Sequence, residues 1–503
     1  MFAHTWRRHW GLDEDPFVQE DADKDAVLAR VPLEAVHSSF DRLYGSPDTP
    51  GPGIVFGEKG SGKSGLRLAM RRHLEAEAAQ TAFVVEYIEF DGFLNEARKA
   101  DRLPPQAGRT PRRVVERFGL SDHLDAILSL GVTKLTHQLI DGEHPSAKKL
   151  VPKYKASVLA LAGLYYRSDE RSGVEVDRGL SRALRFRTSP SMASRLFLFL
   201  LTVVAIGLAV VPHLDLAILQ DRITIEDPEP WTVGGVALLV VTYGTVAFRA
   251  ASFRRRAARA TRAVRVVPRD PEPLARLLSR VPASTRSDLA LPDGSAVGTR
   301  LVLLRRFVAI LNDLGYTSFY VLMDRVDEAT MLSGRADLMR PFVESLLEHR
   351  LLQFEGLALK LFLPIELARL YLGASPADLK SMRLDKANSI PELRWTGQEL
   401  VGVAAQRLRA VRSEEGANGR PGGSLNDFLS DDVSAEDLRD ALSELGTPRL
   451  AFGFLGALLA EHARELSDDL SEDDPAWRVP RGSFDTLHGS WVDRARGLRR
   501  ALN

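Results

Sequence analysis

The chain has 503 residues, 45% of them hydrophobic and 27% charged, with 67 basic against 67 acidic side chains and no cysteine. That length calls for two or three folded units. The charge balance excludes a wholesale polyanion binder, and the missing cysteine excludes disulfides, thiol catalysis, iron–sulfur clusters and thiolate zinc sites.

Met1–Trp10 carries Arg7, Arg8 and two histidines with no apolar core, which speaks against a cleaved signal peptide. Residues 10–45 open with Trp10-Gly11-Leu12, reach Pro16-Phe17 and an acidic stretch, and end in a helix near Tyr44. Ser46–Gly53 is a loop by its proline and glycine content.

Gly53–Ser64 then reads as a short buried strand followed by Gly-x-x-x-x-Gly-Lys-Ser, with a helix expected from Lys63 to Glu75. Glycines let successive backbone N–H groups turn inward around phosphate oxygens, and the following helix aims its positive end at the same anion. Gly57, Gly60, Ser61, Gly62, Lys63, Ser64 and Gly65 are the candidate phosphate-binding residues. Lys63 would reach the β/γ-phosphates, and the Ser64 hydroxyl would ligate Mg²⁺. The competing reading is a structural glycine turn; the preceding strand and the amphipathic run Leu66, Leu68, Met70, Leu74 favour the nucleotide.

Ala82–Phe90 has the β-branched and aromatic content of a second parallel strand. Residues 101–113 are rich in proline and arginine and read as loop, and helical periodicity returns in 114–140 and 155–166.

Two uncharged runs follow, Leu196–Val211 and Trp231–Phe248, with helices expected at about 194–214 and 231–249. A membrane span wants about 20 apolar residues, so both are short. Their flanks support a membrane hairpin: Arg182, Arg185, Arg187 and Arg195 precede the first, and Arg249, Arg254, Arg255, Arg256 and Arg259 follow the second. The link carries Asp215, Asp221, Glu226, Asp227 and Glu229 against Arg222 alone. This is the positive-inside pattern, with both long flanks in the cytoplasm. The competing readings are two buried helices of a soluble core, or a nucleic-acid patch at Arg254–Arg265.

Residues 265–298 return to the cytoplasmic part, and Thr299–Leu314 is a helix. Phe319–Met323 is an apolar strand ending in Asp324, expected to lie beside the phosphate-loop strand so that its acid meets Mg²⁺ from the other side. Asp327 or Glu328 would orient the attacking water; the bland alternative for these acids is a helix N-cap. No Asn-Lys-x-Asp guanine motif is present, which favours adenine. Residues 336–352 read as helix and Leu357–Leu363 as a further central strand, with Pro364 where a polar γ-phosphate sensor would stand. A helical segment from Leu393-Arg394-Trp395, an exposed loop at 411–424, and Gly446-Thr447-Pro448-Arg449 opening an apolar helix complete the pattern. Arg449 would bend over the nucleotide, or else stand exposed at a helix start. Residues 467–503 run from acidic to basic with no motif.

The phosphate loop, Asp324 with Asp327-Glu328, the Trp395-bearing helical segment and Gly-x-Pro-Arg resemble P-loop ATPases of the AAA+/STAND superclass over about 10–140 and 300–465. The inserted hairpin resembles the KAP family of P-loop NTPases. Lys59 stands where that family has an aromatic residue, and Arg325 follows Asp324 where it has paired aspartates. The resemblance implies an α/β fold with a parallel sheet and a helical lid, and the sequence divides accordingly. An N-terminal arm (1–52) precedes the first part of the core (53–180), a transmembrane hairpin (181–265) and the second part (266–392); a lid (393–466) and a tail (467–503) follow. It implies a multi-pass inner-membrane ATPase, with its ATPase domain in the cytoplasm and ATP and Mg²⁺ as cofactors, acting as a switch in bacterial phage defence or stress signalling. Alternatives are a nucleotide-sensing scaffold without turnover and a soluble DNA-acting ATPase. Partners are the bilayer and a second copy or an effector protein, with Arg340, Arg350, Arg369 and Arg383 as candidates to complete a neighbour's site.

Overall fold

Five apolar stretches form one all-parallel sheet in a computed structural model of the chain: β1 (Gly53–Gly57), β2 (Ala82–Tyr87), β3 (Ser318–Met323), β4 (Leu357–Pro364) and β5 (Asn388–Ile390), in the order β2-β3-β4-β1-β5. The structure describes all residues except 1, 19–20, 32–36, 47–49, 105–109, 168–170, 187–191, 212–228, 373–387, 414–423, 467–469, 472 and 502–503. Strands of a parallel sheet are covered on both faces and read as continuous apolar runs, as β1, β3 and β4 do. The exception is Lys360 in β4, whose ammonium donates to the carbonyls of Leu43 (2.6 Å) and Tyr44 (3.1 Å). Burial pushes that ammonium down to about 8.

β4 lies between β1 and β3, which corrects the expectation that the strand ending in Asp324 adjoins the phosphate-loop strand. β4 is as apolar and as buried as β3, so nothing in either run dictates which of them pairs with β1. The short edge strand β5 has only one buried residue and gave no sequence signal.

The helix Lys63–Glu77 packs across β1, β4 and β2. Leu66, Met70 and Leu74 sit in a core with Val55, Tyr320, Leu322 and Phe362. Because the helix crosses the sheet rather than following β1, its first turns reach the end of β3.

The chain divides into two compact units, residues 1–91, 111–116 and 315–503, and residues 92–110 and 117–314. This departs from the sequence boundaries in two places. The helices Leu120–Asp141, Pro152–Tyr165 and Gly173–Ala183 belong with the apolar pair in the second unit, not with the sheet. The arm, the lid and the tail share one hydrophobic core, in which Trp6, Trp10 and Phe17 pack with Leu400, Leu442, Phe454, Trp477 and Phe484. Residues 481–501 are therefore a helix packed on the helix Pro448–Glu465, within the stretch read from sequence as a C-terminal tail with no motif.

In the second unit the apolar runs form helices Met192–Val210 and Glu229–Ala263. Thr202 meets Tyr243 at 3.2 Å, and Gly235 lies so close to Ala205 and Ala209 that an added Cβ would sit 2.5 Å from the Ala205 carbonyl oxygen. Later residues of one helix meet earlier residues of the other, so the pair is antiparallel and closely packed, as small residues allow. Glu229–Ala263 is long and apolar enough to cross a membrane, and only 11% of its most apolar window is buried. Val233, Val240 and Phe248 face outward at 68%, 66% and 71% exposure, which removes the buried soluble-core alternative for this helix. The earlier run yields only a short apolar stretch, Leu196–Val210, because the helix ends before Pro212. Pro212–Leu214 and the acidic link at 215–227 lie outside the described residues.

Candidate functional site

β1 ends in Gly57, and the chain turns through Glu58–Gly62 into the helix Lys63–Glu77. Gly60 and Gly62 hold φ of +87° and +89°, a conformation that glycine adopts without a Cβ penalty. Gly57 and Gly62 are tightly enclosed: an added Cβ would lie 2.3 Å from Ser61 Oγ at the first and 3.2 Å from Trp395 and Pro448 at the second. No side chain caps the helix, which leaves its first-turn N–H groups for an external acceptor.

Lys63 Nζ donates to the carbonyls of Gly57 (2.8 Å) and Glu58 (3.0 Å). An ammonium has three donors, so these bonds hold it against the loop with one donor remaining. Burial pushes the Lys63 ammonium down, against the field of Asp327, Asp324 and Glu366, which raises it; Arg449 adds to the lowering.

Ser64 Oγ donates to Asp324 Oδ2 at 2.7 Å. The same oxygen accepts from Arg67 Nε at 3.1 Å, and Oδ1 accepts from the backbone N–H of Arg325 at 2.8 Å. Arg325 adopts φ +63°, an uncommon conformation for a residue with a side chain, and it is this turn that brings its N–H back onto Asp324. Its guanidinium pairs with Asp21 (2.7 Å), Asp23 (2.5 Å) and Glu328 (3.6 Å). Arg67, wholly buried, also pairs with Asp23 and Glu86. Burial pushes the Glu328 carboxyl up, opposed by Arg325 and reinforced by the neighbouring acids Asp327, Asp324 and Asp21.

A cavity of about 790 Å³ collects most of the candidates: Gly60, Gly62, Lys63, Ser64, Gly65, Asp324, Asp327, Glu328 and Arg449 all line it. Gly57 and Ser61 are not among its lining residues, and the buried Ser61 hydroxyl has no hydrogen-bond partner among the described residues. Arg449 is brought in by the lid helix Pro448–Glu465: its N–H donates to the Gly60 carbonyl at 3.3 Å and its side chain lies over Gly60. Trp395 donates its indole N–H to the Ser61 carbonyl at 2.7 Å. Asp327 and Glu328 fall in one 3-10 turn, Val326–Glu328, so both sequence alternatives for the water-orienting acid reach the cavity.

The donor set fits a nucleotide phosphate and Mg²⁺. The turn has uncapped amides and a lysine, while Ser64, by donating its one proton to Asp324, keeps both lone pairs for a cation. Among the described residues no group of three or more histidine and acidic side chains is placed to hold a metal ion, so Mg²⁺ here would depend on ligands the phosphates and water supply.

Sequence reasoning missed Asp21, Asp23, Arg67 and Glu366. The acidic stretch was visible, but nothing local says that it reaches an arginine on the phosphate-loop helix. Of the trans candidates, Arg340 pairs with Glu344 at 2.6 Å; Arg383 and the side chains of Arg350 and Arg369 lie outside the description.

Compared with protein-family models, curated proteins and solved structures, the chain matches none.

Proposed function

We propose that this chain is a P-loop ATPase that binds ATP with Mg²⁺, hydrolyses it, and changes state as it does so. The single observation that carries this reading is the 2.7 Å bond from Ser64 to Asp324, made between residues 260 positions apart in a cavity that Lys63, Asp327, Glu328 and Arg449 also line. The loop amides and Lys63 would hold the β/γ-phosphates, and Ser64 with Asp324 would hold the metal, Asp324 through water. Bound Mg²⁺ would neutralise charge developing on the phosphate oxygens. Glu328, with its carboxyl raised by burial, is suited to accept a proton from water at the cavity wall, and Arg449 supplies a fixed cation from the lid.

The test separates binding from turnover. Lys63→Ala should weaken ATP binding and abolish phosphate release, and Glu328→Gln should keep binding while release falls at least a hundredfold. Undiminished turnover in both variants would remove the assignment. One observation favours a second reading, a nucleotide sensor that does not turn over: Asp324 already accepts three protein donors, and Arg325 engages Glu328. Tight ATP binding with no phosphate release in the wild-type protein would select it.

The membrane part of the proposal is a hairpin of Met192–Val210 and Glu229–Ala263 anchoring the protein in the bacterial inner membrane, with the ATPase unit in the cytoplasm. The exposed apolar surface and the close antiparallel packing support it. A soluble DNA-acting role would use the Arg254–Arg265 patch, of which Arg254 is held by Glu272 and Arg265 by Asp101 and Asp122; the apolar exposure of Trp231–Phe248 on the same helix favours the membrane instead. A role in phage defence or stress signalling, through self-assembly or an effector protein, rests on the KAP resemblance.

A further inference from the structure

The helix Glu229–Ala263 changes character at one residue. Trp231–Phe248 carries no charge, and Arg249, Arg254, Arg255, Arg256, Arg259 and Arg262 then follow on the same unbroken helix. Successive residues of an α-helix are rotated by about 100°. On that projection the buried residues of this stretch, Ala257, Ala260 and Thr261, share one side. Arg255, Arg256, Arg259 and Arg262 fall within about 120° away from that side, and Arg249 lies about 20° from Ala260, at one margin of it. Arg254, at the margin of the packed side, pairs with Glu272 at 3.2 Å. The other five are exposed, and their side chains have no ion-pair or hydrogen-bond partner among the described residues. Arg265, just beyond the helix, is by contrast fully engaged with Asp101, Asp122 and the Arg117 carbonyl. The helix thus engages Arg254 against Glu272 and leaves its other five arginines exposed, without an ion-pair partner among the described residues.

We propose that the end of this face next to the apolar run, Arg249, Arg255 and Arg256, binds the anionic phosphodiester headgroups of phospholipids. The proposal rests on the reading of Glu229–Ala263 as membrane-crossing. At 1.5 Å per residue, Arg255 and Arg256 stand about 9–11 Å beyond Arg249 along the axis. The headgroup layer is about 5–8 Å deep on each side of the hydrocarbon, and the screening length in physiological salt is about 8 Å. These three arginines, with stems that can bend back toward the bilayer, lie within that reach. Arg259, about 15 Å out, stands at the limit of that reach, and Arg262, about 20 Å out, lies beyond it. A lipid surface therefore engages the near arginines more strongly than the far pair, whereas a long polyanion such as duplex DNA lying along the face would engage all five alike.

The absence of cysteine in the sequence permits a clean probe. Ser252 lies within the same arc, so Ser252→Cys carrying an environment-sensitive fluorophore reports on the face in the full-length, detergent-solubilised chain. Titration with dioctanoylphosphatidylglycerol should give affinity at least tenfold tighter than dioctanoylphosphatidylcholine at low salt. An arginine near an anionic surface contributes a factor of about five, so Arg255→Gln with Arg256→Gln should weaken phosphatidylglycerol binding about twentyfold. Arg259→Gln with Arg262→Gln should change it by less than about threefold. Equal affinity for the two lipids would overturn the proposal. So would an equal loss from the near and far pairs with displacement of the lipid by a DNA duplex, which would make the face a polyanion surface. Carbonate-resistant retention of the wild-type chain in membranes reads the span separately. If retention is lost, the membrane reading itself fails; if it is kept while the two lipids bind alike, only the headgroup site fails.

Discussion

Arg67 in the sheet unit and Arg300 in the helical unit are both almost completely buried, at 0% and 1% exposure, and their surroundings are built differently. Arg300 faces one carboxylate, Asp125, with 3.2 Å contacts, and spends its remaining donors on the carbonyls of Gly294, Ala296 and Ala263. Asp125 in turn accepts the Tyr165 hydroxyl at 2.8 Å. One cation meets one anion, and every strong group has a protein partner. Arg67 faces three carboxylates, Asp23, Glu86 and Asp324, from the arm, β2 and the end of β3. Around it, Asp21, Asp327 and Glu328 extend the acidic cluster to the cavity, whose wall also carries Lys59, Lys63, Arg72, Arg325, Arg407 and Arg449. A buried charge by itself therefore marks nothing in this protein. The cluster that gathers several carboxylates around one guanidinium and opens on a cavity is the one that a ligand could reach.

The largest effects test that contrast directly. Arg300→Met strands the Asp125 carboxylate in an apolar interior and should cost about 3–5 kcal/mol of unfolding free energy. Asp125→Leu combined with it should recover most of the loss, because a packed apolar pair replaces a buried ionic one. Arg67→Met should also destabilise the ligand-free protein, but Mg²⁺–ATP should restore much of that stability, since the metal supplies positive charge beside Asp324, and should do nothing selective for Arg300→Met. Denaturant titrations with and without Mg²⁺–ATP measure both. If the two variants respond alike, the distinction between a closed and an open cluster is wrong.

The second effect concerns two buried lysines of the sheet unit. Lys63 stands among acids, whereas Lys360 meets the Leu43 and Tyr44 carbonyls and the face of the Tyr320 ring, and burial lowers its ammonium to about 8 from 10.5. Between those values the unfolded chain binds more protons than the folded one, so stability rises as pH increases through that window. Below about pH 8 the burial cost is present in full. The gain from this one group is about 3 kcal/mol by linkage. Lys360→Met should flatten that segment of the stability curve in unfolding measured from pH 7.5 to 10.5. An unaltered slope would mean that the ammonium is better solvated by the Leu43 and Tyr44 carbonyls than its burial implies.

These sites were unequally legible in the sequence. The strand–turn–helix at 53–77 could be read because its signal is local: the glycines, Lys63 and Ser64 are close in sequence, and the strand and helix that frame them have clear periods. Asp324 could be read because an apolar strand delivers it. Strand order could not, since β3 and β4 present the same pattern and adjacency is settled by which helices cover them. Arg67 was hidden for a related reason, as its partners lie 44, 19 and 257 positions away. The helix Arg481–Ala501 was masked by Gly482, Gly489 and Gly497, which weaken a helical signal. The apolar run at 231–248 was legible, but not its continuation to Ala263, which belongs to an alanine- and arginine-rich stretch of high helix propensity.

The smallest effect probes how the open cluster is held in shape. Trp395 donates its indole N–H to the Ser61 carbonyl at 2.7 Å, lies against Gly62, and meets the edge of His37 at 4.7 Å. Trp395→Phe keeps an aromatic ring beside the loop and removes only the donor. A hydrogen bond of this kind is worth about 0.5–1.5 kcal/mol net, so nucleotide should bind about fivefold more weakly. The metal-side groups Ser64 and Asp324 do not depend on Trp395, so turnover at saturating ATP should stay within about twofold of wild type if the bond acts on binding alone. A fall in the saturated rate with unchanged affinity would instead mean that the loop carbonyl is positioned for the reacting state. The Ser61 bond would then belong with the acids that set the chemistry and not with the cradle that holds the phosphates.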